Sequence, residues 1–415
     1  MKPELLAPAG NREKMKVAFE YGADAVYLGL TRFSLRDKSE NFSPEELFEA
    51  VVYSHGINKK VYVTVNIIPK NKDLDDIKVL LQQINEAKPD GIIIADPGVI
   101  AYAKKYAKGI DIHVSTQANI INRESAKLFC RLGAKRLILG RELTLNDVRE
   151  IKKAIGKEHE IEIFVHGAMC VSYSGRCLLS AYMTGRDSNQ GDCAQPCRWN
   201  YSLMEEKRPG QYYPVYEDEN GSYILNSKDL CMIEYIKELI ECGSDSFKIE
   251  GRMKSSFYVA CVVKGYRMAL DGFFLDPGIY EANKDEYLRI VSMASHRDYT
   301  TAYNLGDEDH IRKTKDSMIY STSSYVRTHS YVGIVIDYDP VHSLAKIREM
   351  NPLFEGDEIQ MLVPGESNFR QKAHTMSDEN NESIKAANHP EMIYYMKMDR
   401  PVRKDTIIIT EVKNG

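Results

Sequence analysis

Four cysteines, Cys170, Cys177, Cys193 and Cys197, crowd into one stretch of the chain just after His166. Six residues separate the first two, fifteen the next two and three the last two. Four thiolates can close a tetrahedral zinc site or hold the irons of a 4Fe–4S cube, and unligated thiols are the third reading. Structural zinc normally uses tight pairs with about two to four intervening residues, so the wide first gap favours iron–sulfur and leaves zinc as the alternative metal. His166 offers an acid or base, a fifth ligand, or a hydrogen-bonded residue ending a strand. Tyr173 and Ser174, between two of the thiols, pack or hydrogen-bond around them. Cys130 lies on an apolar helical face, Cys231 and Cys242 flank another helix, and Cys261 sits in "FYVACVVKGY". These four read as small buried hydrophobes.

Elements must hold such residues in place. The runs "ELLAPA", "AVYLGL", "KVYVTVN", "GIIIADP", "DIHVST", "RLILG", "EIEIFVHG" and "SFKIEG" read as strands and alternate with amphipathic helical segments. One such helix opens at Ser43 with Glu46 three positions later, a capping box. Eight parallel-type strands, mostly followed by helices, predict an α/β fold, a TIM-type (β/α)₈ barrel; a doubly wound open sheet is the competitor. "NREKMKVAFEYGADAVYLG" from Asn11 and "NRESAKLFCRLGAKRLILG" from Asn122 repeat one another at an offset of four βα units, as two half-barrels would. After strand seven, residues 170–225 form an insertion carrying the thiols and a predicted hairpin turning at Pro209-Gly210. Alternation in "YVGIVIDYD", "LAKIREM", "GDEIQMLVP" and "DTIIITEV" predicts a small β-barrel or sandwich. The expected organisation is therefore a barrel over residues 1–328 and an all-β domain over 329–415.

Barrel chemistry gathers where strands end. Asn66, Asp96, His113, Gln117, Arg141, Glu142, His166, Lys248, Glu250 and Arg252 fall there. A buried strand has no packing reason to finish "KIEGR", so Lys248 and Glu250 are candidates for proton transfer, or else an ion pair at the rim. Arg141 with Glu142, and Glu250 with Arg252, are alternative structural pairs. As functional groups, arginines suit carboxylates or phosphates because a guanidinium donates two parallel hydrogen bonds.

At 415 residues the chain exceeds one average domain but suits a barrel of roughly 250–330 residues with an appendage. Its net charge of −5 means that any nucleic-acid contact must use a local basic patch. Candidates are Arg32-Arg36-Lys38, Lys59-Lys60 and Arg312-Lys313-Lys315, each otherwise a solvated face. No run approaches a membrane span, and clustered thiols in a chain without a signal-peptide core point to metal in a reducing cytoplasm. His159-Glu160 begins a zinc-protease motif, but Ile163 stands where histidine is required. There is no Walker loop, G-x-S-x-G elbow or G-x-G-x-x-G fingerprint.

"EIFVHGAMCVSYSGRC" resembles the signature of the collagenase-like peptidase U thirty-two family, through Glu162, Phe164, His166, Gly167, Cys170, Ser174, Gly175 and Cys177. "ELLAPAGN", "GDCAQPCRW", "ILNSKDL", "KIEGRMKS" and "SHRDYTTAY" also look like family blocks, in order, so the resemblance covers nearly the whole chain. It implies a 4Fe–4S cluster held by Cys170, Cys177, Cys193 and Cys197, with prephenate as hydroxyl donor. It also implies a place in the branch that converts the wobble uridine of tRNA to 5-hydroxyuridine without oxygen. In that setting Asn66, Gln117, Arg141, Glu142 and Arg252 would bind substrate, the arginines gripping prephenate carboxylates. His166, Lys248 and Glu250 would move protons, and Tyr212, Tyr213 and Tyr216 would pack or stack a base. A paralogous partner chain is a further implication. The rivals are a collagenase-like peptidase and a non-catalytic partner stapled by the cluster. Two positions depart from the family pattern: Gln190 replaces an expected arginine and Ala302 an expected glycine.

Overall fold

The computed structural model describes residues 2–35, 40–170, 177–199, 217–218, 221–222, 228–306 and 325–412. Its first seven strands are β1 (Glu4–Ala9), β2 (Ala25–Gly29), β3 (Lys60–Val65), β4 (Gly91–Ile94), β5 (Asp111–Val114), β6 (Arg136–Ile138) and β7 (Glu160–Ala168). Each pairs in parallel with the next. A short strand β8 (Asp229–Cys231) runs antiparallel to the end of β7, and β9 (Ser246–Ile249) then pairs in parallel with both β7 and β1. The ring is closed, so the chain forms a TIM-type barrel rather than an open doubly wound sheet. Closure leaves no barrel edge to protect from stray pairing.

Local chemistry agrees with this arrangement. Helices α1 (Arg12–Glu20) and α5 (Arg123–Arg131), which carry the internal repeat, are capped by Asn11 and Asn122 respectively. Helix α2 (Pro44–Gly56) opens with the Ser43–Glu46 capping box. Such caps satisfy amides that the first turn leaves unpaired, each worth about 1 kcal/mol. Helices α3 (Leu74–Ala87), α4 (Pro97–Tyr106) and α6 (Leu145–Ile155) complete the wall on the first six units, and the short helices α7 (Leu179–Thr184) and α8 (Ile236–Glu241) follow. The four cysteines judged apolar are placed as expected: Cys231, Cys242 and Cys261 are buried and Cys130 half-buried.

Beside a two-stranded pair, Leu353–Phe354 with Ala386–Ala387, the C-terminal domain holds one antiparallel seven-stranded sheet. Its two edge strands, Phe369–Lys372 and Met376–Ser377, are separated in sequence by only Ala373–Thr375. Flat, seven strands would part the edges by roughly 29 Å, which so short a link cannot span, so the sheet curls on itself. Its core, with Val335, Ile347, Met361 and Tyr394, is separate from that of the barrel. Helix α9 (Ser256–Leu275) ties the domains: Lys264 Nζ donates to the Val363 and Glu366 carbonyls and to Asn368 Oδ1. The Tyr21 hydroxyl donates to Leu362 O at 2.6 Å and accepts from Ile407 N–H at 3.2 Å. No helix among the described residues is long and apolar enough to cross a membrane.

Candidate active site

Where the strands end, the described part of the insertion covers the barrel mouth and encloses a cavity of about 200 Å³. Cys170, Cys177, Cys193 and Cys197 all line it, together with Asn66, Gln117, Arg141, Lys248, Glu250 and Arg252. Eleven residues with no run of sequence in common thus meet in one place only because the barrel brings strand ends together, Phe164 being the apolar member on β7. The insertion is pinned by backbone and side chain: Ile68 N–H donates to Asn189 O at 3.0 Å, and the Gln190 amide donates to Ile68 O. Gln190, the residue that replaces arginine, therefore fastens the cover to the loop after β3.

Below the cavity the barrel interior is ionic. Lys248 Nζ meets Glu162 Oε1 at 2.7 Å, and Arg136 meets Glu162, Glu4 and Glu160 at 3.0, 2.6 and 2.6 Å. Glu162 is fully buried, and Lys248 and Arg136 nearly so. The expected rim pair of Lys248 with Glu250 is thus corrected: Lys248 turns inward to a carboxylate on the neighbouring strand. Burial pushes the Lys248 ammonium down, against the opposing pull of Glu162. Burial alone would raise the Glu4 carboxyl, but Arg136 outweighs it and holds the group low. His113 faces this layer rather than the mouth, edge-on to Tyr62 at 4.5 Å. Burial, with Arg136 and Lys248 nearby, keeps its ring neutral far below its ordinary value.

His166 does not reach the cavity, and its catalytic assignment is corrected on geometry. Lys248 lies opposite Phe164 and Ile249 opposite His166, so Val165 is an extra residue, a β-bulge. A bulge shifts the alternation of side chains, and it turns His166 outward while Phe164 stays at the mouth. The His166 ring packs against Tyr258, Tyr266 and Tyr299 at 6.1, 5.6 and 5.4 Å between centroids. Burial first, then His296 and Lys254, depress it to about 3. Its backbone still serves the site, since Glu250 N–H donates to His166 O at 2.9 Å.

Arg252 is buried at the cavity wall, where its Nη1 donates to Thr64 Oγ1 at 3.1 Å. A side chain at Gly29 would overlap that guanidinium and approach Ser34 Oγ to 2.7 Å, so glycine ends β2 to let Arg252 pass. Arg141 Nη1 donates to Ala168 O at 2.8 Å, and its guanidinium lies 5.1 Å from the Phe164 ring centre. Gln117 Oε1 is buried with no hydrogen-bond partner among the described residues, an unmet acceptor on a cavity residue. Asn66 Nδ2 donates to Ser115 Oγ at 3.4 Å. Glu142, from the loop after β6, does not line the cavity, and Asp96 caps α4 through Val99 N–H.

None of the four thiols is in a disulfide; Cys170 is exposed and the others half-buried. Gln195 N–H donates to Cys193 Sγ at 3.3 Å. Ser188 Oγ and Asn189 Nδ2 hold the Cys177 carbonyl at 2.9 and 3.1 Å. Among the described residues no three His, Cys, Asp or Glu side chains are close enough together to hold a single ion. Four cysteines lining one cavity are a donor set of the kind that iron–sulfur clusters take. The donor set therefore fits an iron–sulfur group.

Other expectations fall elsewhere. Arg32 pairs with Asp76 at 2.5 Å, while Lys59 and Lys60 face Asp24 and Glu4 at 3.9 and 3.7 Å, Lys60 beginning β3 at the end of the barrel remote from the mouth. Lys59 and Lys60 are thus partnered and misplaced for a substrate at the mouth, whereas Arg32, in the loop after β2, is on the mouth side but paired with Asp76. Arg36, Lys38, Tyr173, Ser174, Pro209-Gly210, Tyr212, Tyr213, Tyr216, Arg312, Lys313 and Lys315 lie outside the described residues. The buried Arg136–Glu4 partnership was missed in the sequence, because only strand register reveals it.

Comparison with known proteins agrees with this architecture. The model of Peptidase family U32 matches residues 10–314, and that of the Peptidase family U32 C-terminal domain matches residues 327–408. The chain is 38% identical to "tRNA hydroxylation protein P1" of Bacillus subtilis, over 97% of this chain and 93% of that protein. It is 29% identical to a 23S rRNA 5-hydroxycytidine synthase of Escherichia coli, over 97% of this chain and 59% of that one. It is also 31% identical to a protein named "Collagenase" of Porphyromonas gingivalis, over 87% and 86% of the two. The chain belongs to Peptidase family U32.

Proposed function

We propose that this chain is an RNA-modifying enzyme that hydroxylates a pyrimidine without molecular oxygen, its substrate being the wobble uridine of tRNA and its hydroxyl donor prephenate. One observation carries the reading: four cysteines and two arginines line a single cavity in a chain 38% identical, nearly end to end, to a tRNA hydroxylation protein. Cys170, Cys177, Cys193 and Cys197 would hold a 4Fe–4S cluster, which when bound supplies an iron centre able to take up or release electrons.

The chain's own residues do the rest. Arg252 and Arg141 bind the donor's carboxylates from two sides of the cavity, each already oriented by a fixed hydrogen bond. Gln117 Oε1 accepts a hydrogen bond from a donor hydroxyl or from the base. Lys248, held by Glu162 and lowered by burial, keeps a proton at the cavity floor, and Glu250 stands on the rim to exchange one. Asn189 and Gln190 fix the cover that keeps bulk water from the reacting atoms.

Nucleosides from a deletion strain, measured by mass spectrometry, should lack 5-hydroxyuridine and regain it with the wild-type gene but not with Cys193→Ala or Arg252→Ala. Unchanged 5-hydroxyuridine in the deletion strain would overturn the assignment. Gelatin cleavage surviving Cys170→Ala would instead favour the peptidase reading.

A further inference from the structure

A second cleft, of about 550 Å³, separates the N-terminal end of α9 from the first strand of the C-terminal domain. No residue lines both it and the thiol cavity. We infer that this cleft binds one nucleotide of the RNA strand, with Lys254 and Arg327 on its phosphate and Tyr325 stacked on its base. The inference rests on the reading above that the substrate is RNA.

The lining supplies each part of such a ligand's recognition. Lys254 is half-buried, with its ammonium 4.6 Å from the Tyr325 ring centre and 5.3 Å from that of Tyr258. Arg327 is exposed, and neither cation pairs with a carboxylate among the described residues. Ser255 caps the twenty-residue helix α9 at the cleft, so the positive end of the helix faces the same space. A phosphodiester answers all three. Tyr325 is 37% exposed, and the Arg297 guanidinium, 5.4 Å from its ring centre, adds a further cation beside a stacked base.

Two further groups point to a ligand rather than to a charged surface. The hydroxyl of Tyr331, a residue only 8% exposed, has no hydrogen-bond partner among the described residues. Nor has His329 Nε2, and both residues line the cleft. A ribose hydroxyl or base edge would satisfy them, whereas an ordinary domain seam would have paired them internally. The chain's net charge is −5, so RNA must be drawn by a local site of this kind. Arg252 lines the cavity and Lys254 the cleft from one loop, which puts a strand held in the cleft beside the mouth.

Fluorescence anisotropy of a short labelled single-stranded RNA on the full-length protein tests this. Lys254→Gln and Arg327→Gln should each weaken binding about 5- to 10-fold and reduce the slope of log Kd against log salt by about 0.7, the single-strand value per phosphate contact. Tyr325→Ala should weaken binding about 5- to 10-fold with an unchanged salt slope. Circular dichroism confirms that each variant is folded. Wild-type protein that binds RNA, with all three variants binding equally well, would overturn the cleft while leaving RNA as substrate. Wild-type protein that binds no RNA would overturn both readings together.

Discussion

Lys248 and Glu162 meet at 2.7 Å across two barrel strands, and neither reaches solvent. Their partnership fixes an ammonium at the floor of the thiol cavity while Arg136 takes the other oxygen of the same carboxylate. Removing Lys248 leaves one oxygen of the buried Glu162 carboxyl without its partner, with Arg136 still on the other. Lys248→Met should therefore cost about 3–5 kcal/mol, whereas pairing it with Glu162→Gln should recover part of that loss. Urea unfolding of the barrel measures both; equal stability of the single and double variants would contradict the account.

Arg252 reaches Thr64 only because β2 ends in glycine. Gly29→Ala would push aside the tip of a flexible side chain, which costs little stability but spoils the anion grip. The expected result is a KM for prephenate raised about tenfold with kcat changed far less, since uniform binding is what is lost. Unfolding midpoints of the variant and wild type should agree closely. A fall in kcat without a change in KM would contradict the role given to Arg252.

His166 is neutral when folded, at about 3, against 6.5 for the free group. The unfolded chain therefore takes up the proton first. Stability from this residue is whole above about pH 6.5 and falls as pH drops toward 3, by about 1.4 kcal/mol per unit. His166→Phe should flatten the pH dependence of stability by that slope. It should also leave the pH–rate profile in place, because the ring lies behind the bulge at Val165.

Ala302 sits at φ +49°, in the region glycine favours, at the position where the resemblance led to the expectation of glycine. Ala302→Gly should stabilise the barrel by about 0.5–1 kcal/mol, read from the urea midpoint. A loss of stability would mean that its side chain contributes packing that outweighs the strain.

These sites also mark how far the sequence could be read. The eight strands were legible because each is a short apolar run between amphipathic helices, and the Asn11 and Asn122 caps signalled the half-barrel repeat. The thiols and arginines were legible because strand ends in a barrel share one mouth. Lys248 was harder: "KIEGR" puts Glu250 beside it in sequence, but the partner is Glu162, 86 positions away and set by strand register. His166 was misread for a related reason. A bulge inserts one residue, and no apolar pattern distinguishes Val165 as extra in "EIFVHG". Gln190, standing where arginine was expected, proves to be a clasp on Ile68.

The most direct test is reconstitution under strict anaerobiosis, with purified holoprotein, prephenate and tRNA from the deletion strain. The account predicts 5-hydroxyuridine that depends on prephenate and on all four cavity cysteines. Product formed without prephenate, or undiminished by Cys170→Ala, Cys177→Ala, Cys193→Ala and Cys197→Ala, would contradict it.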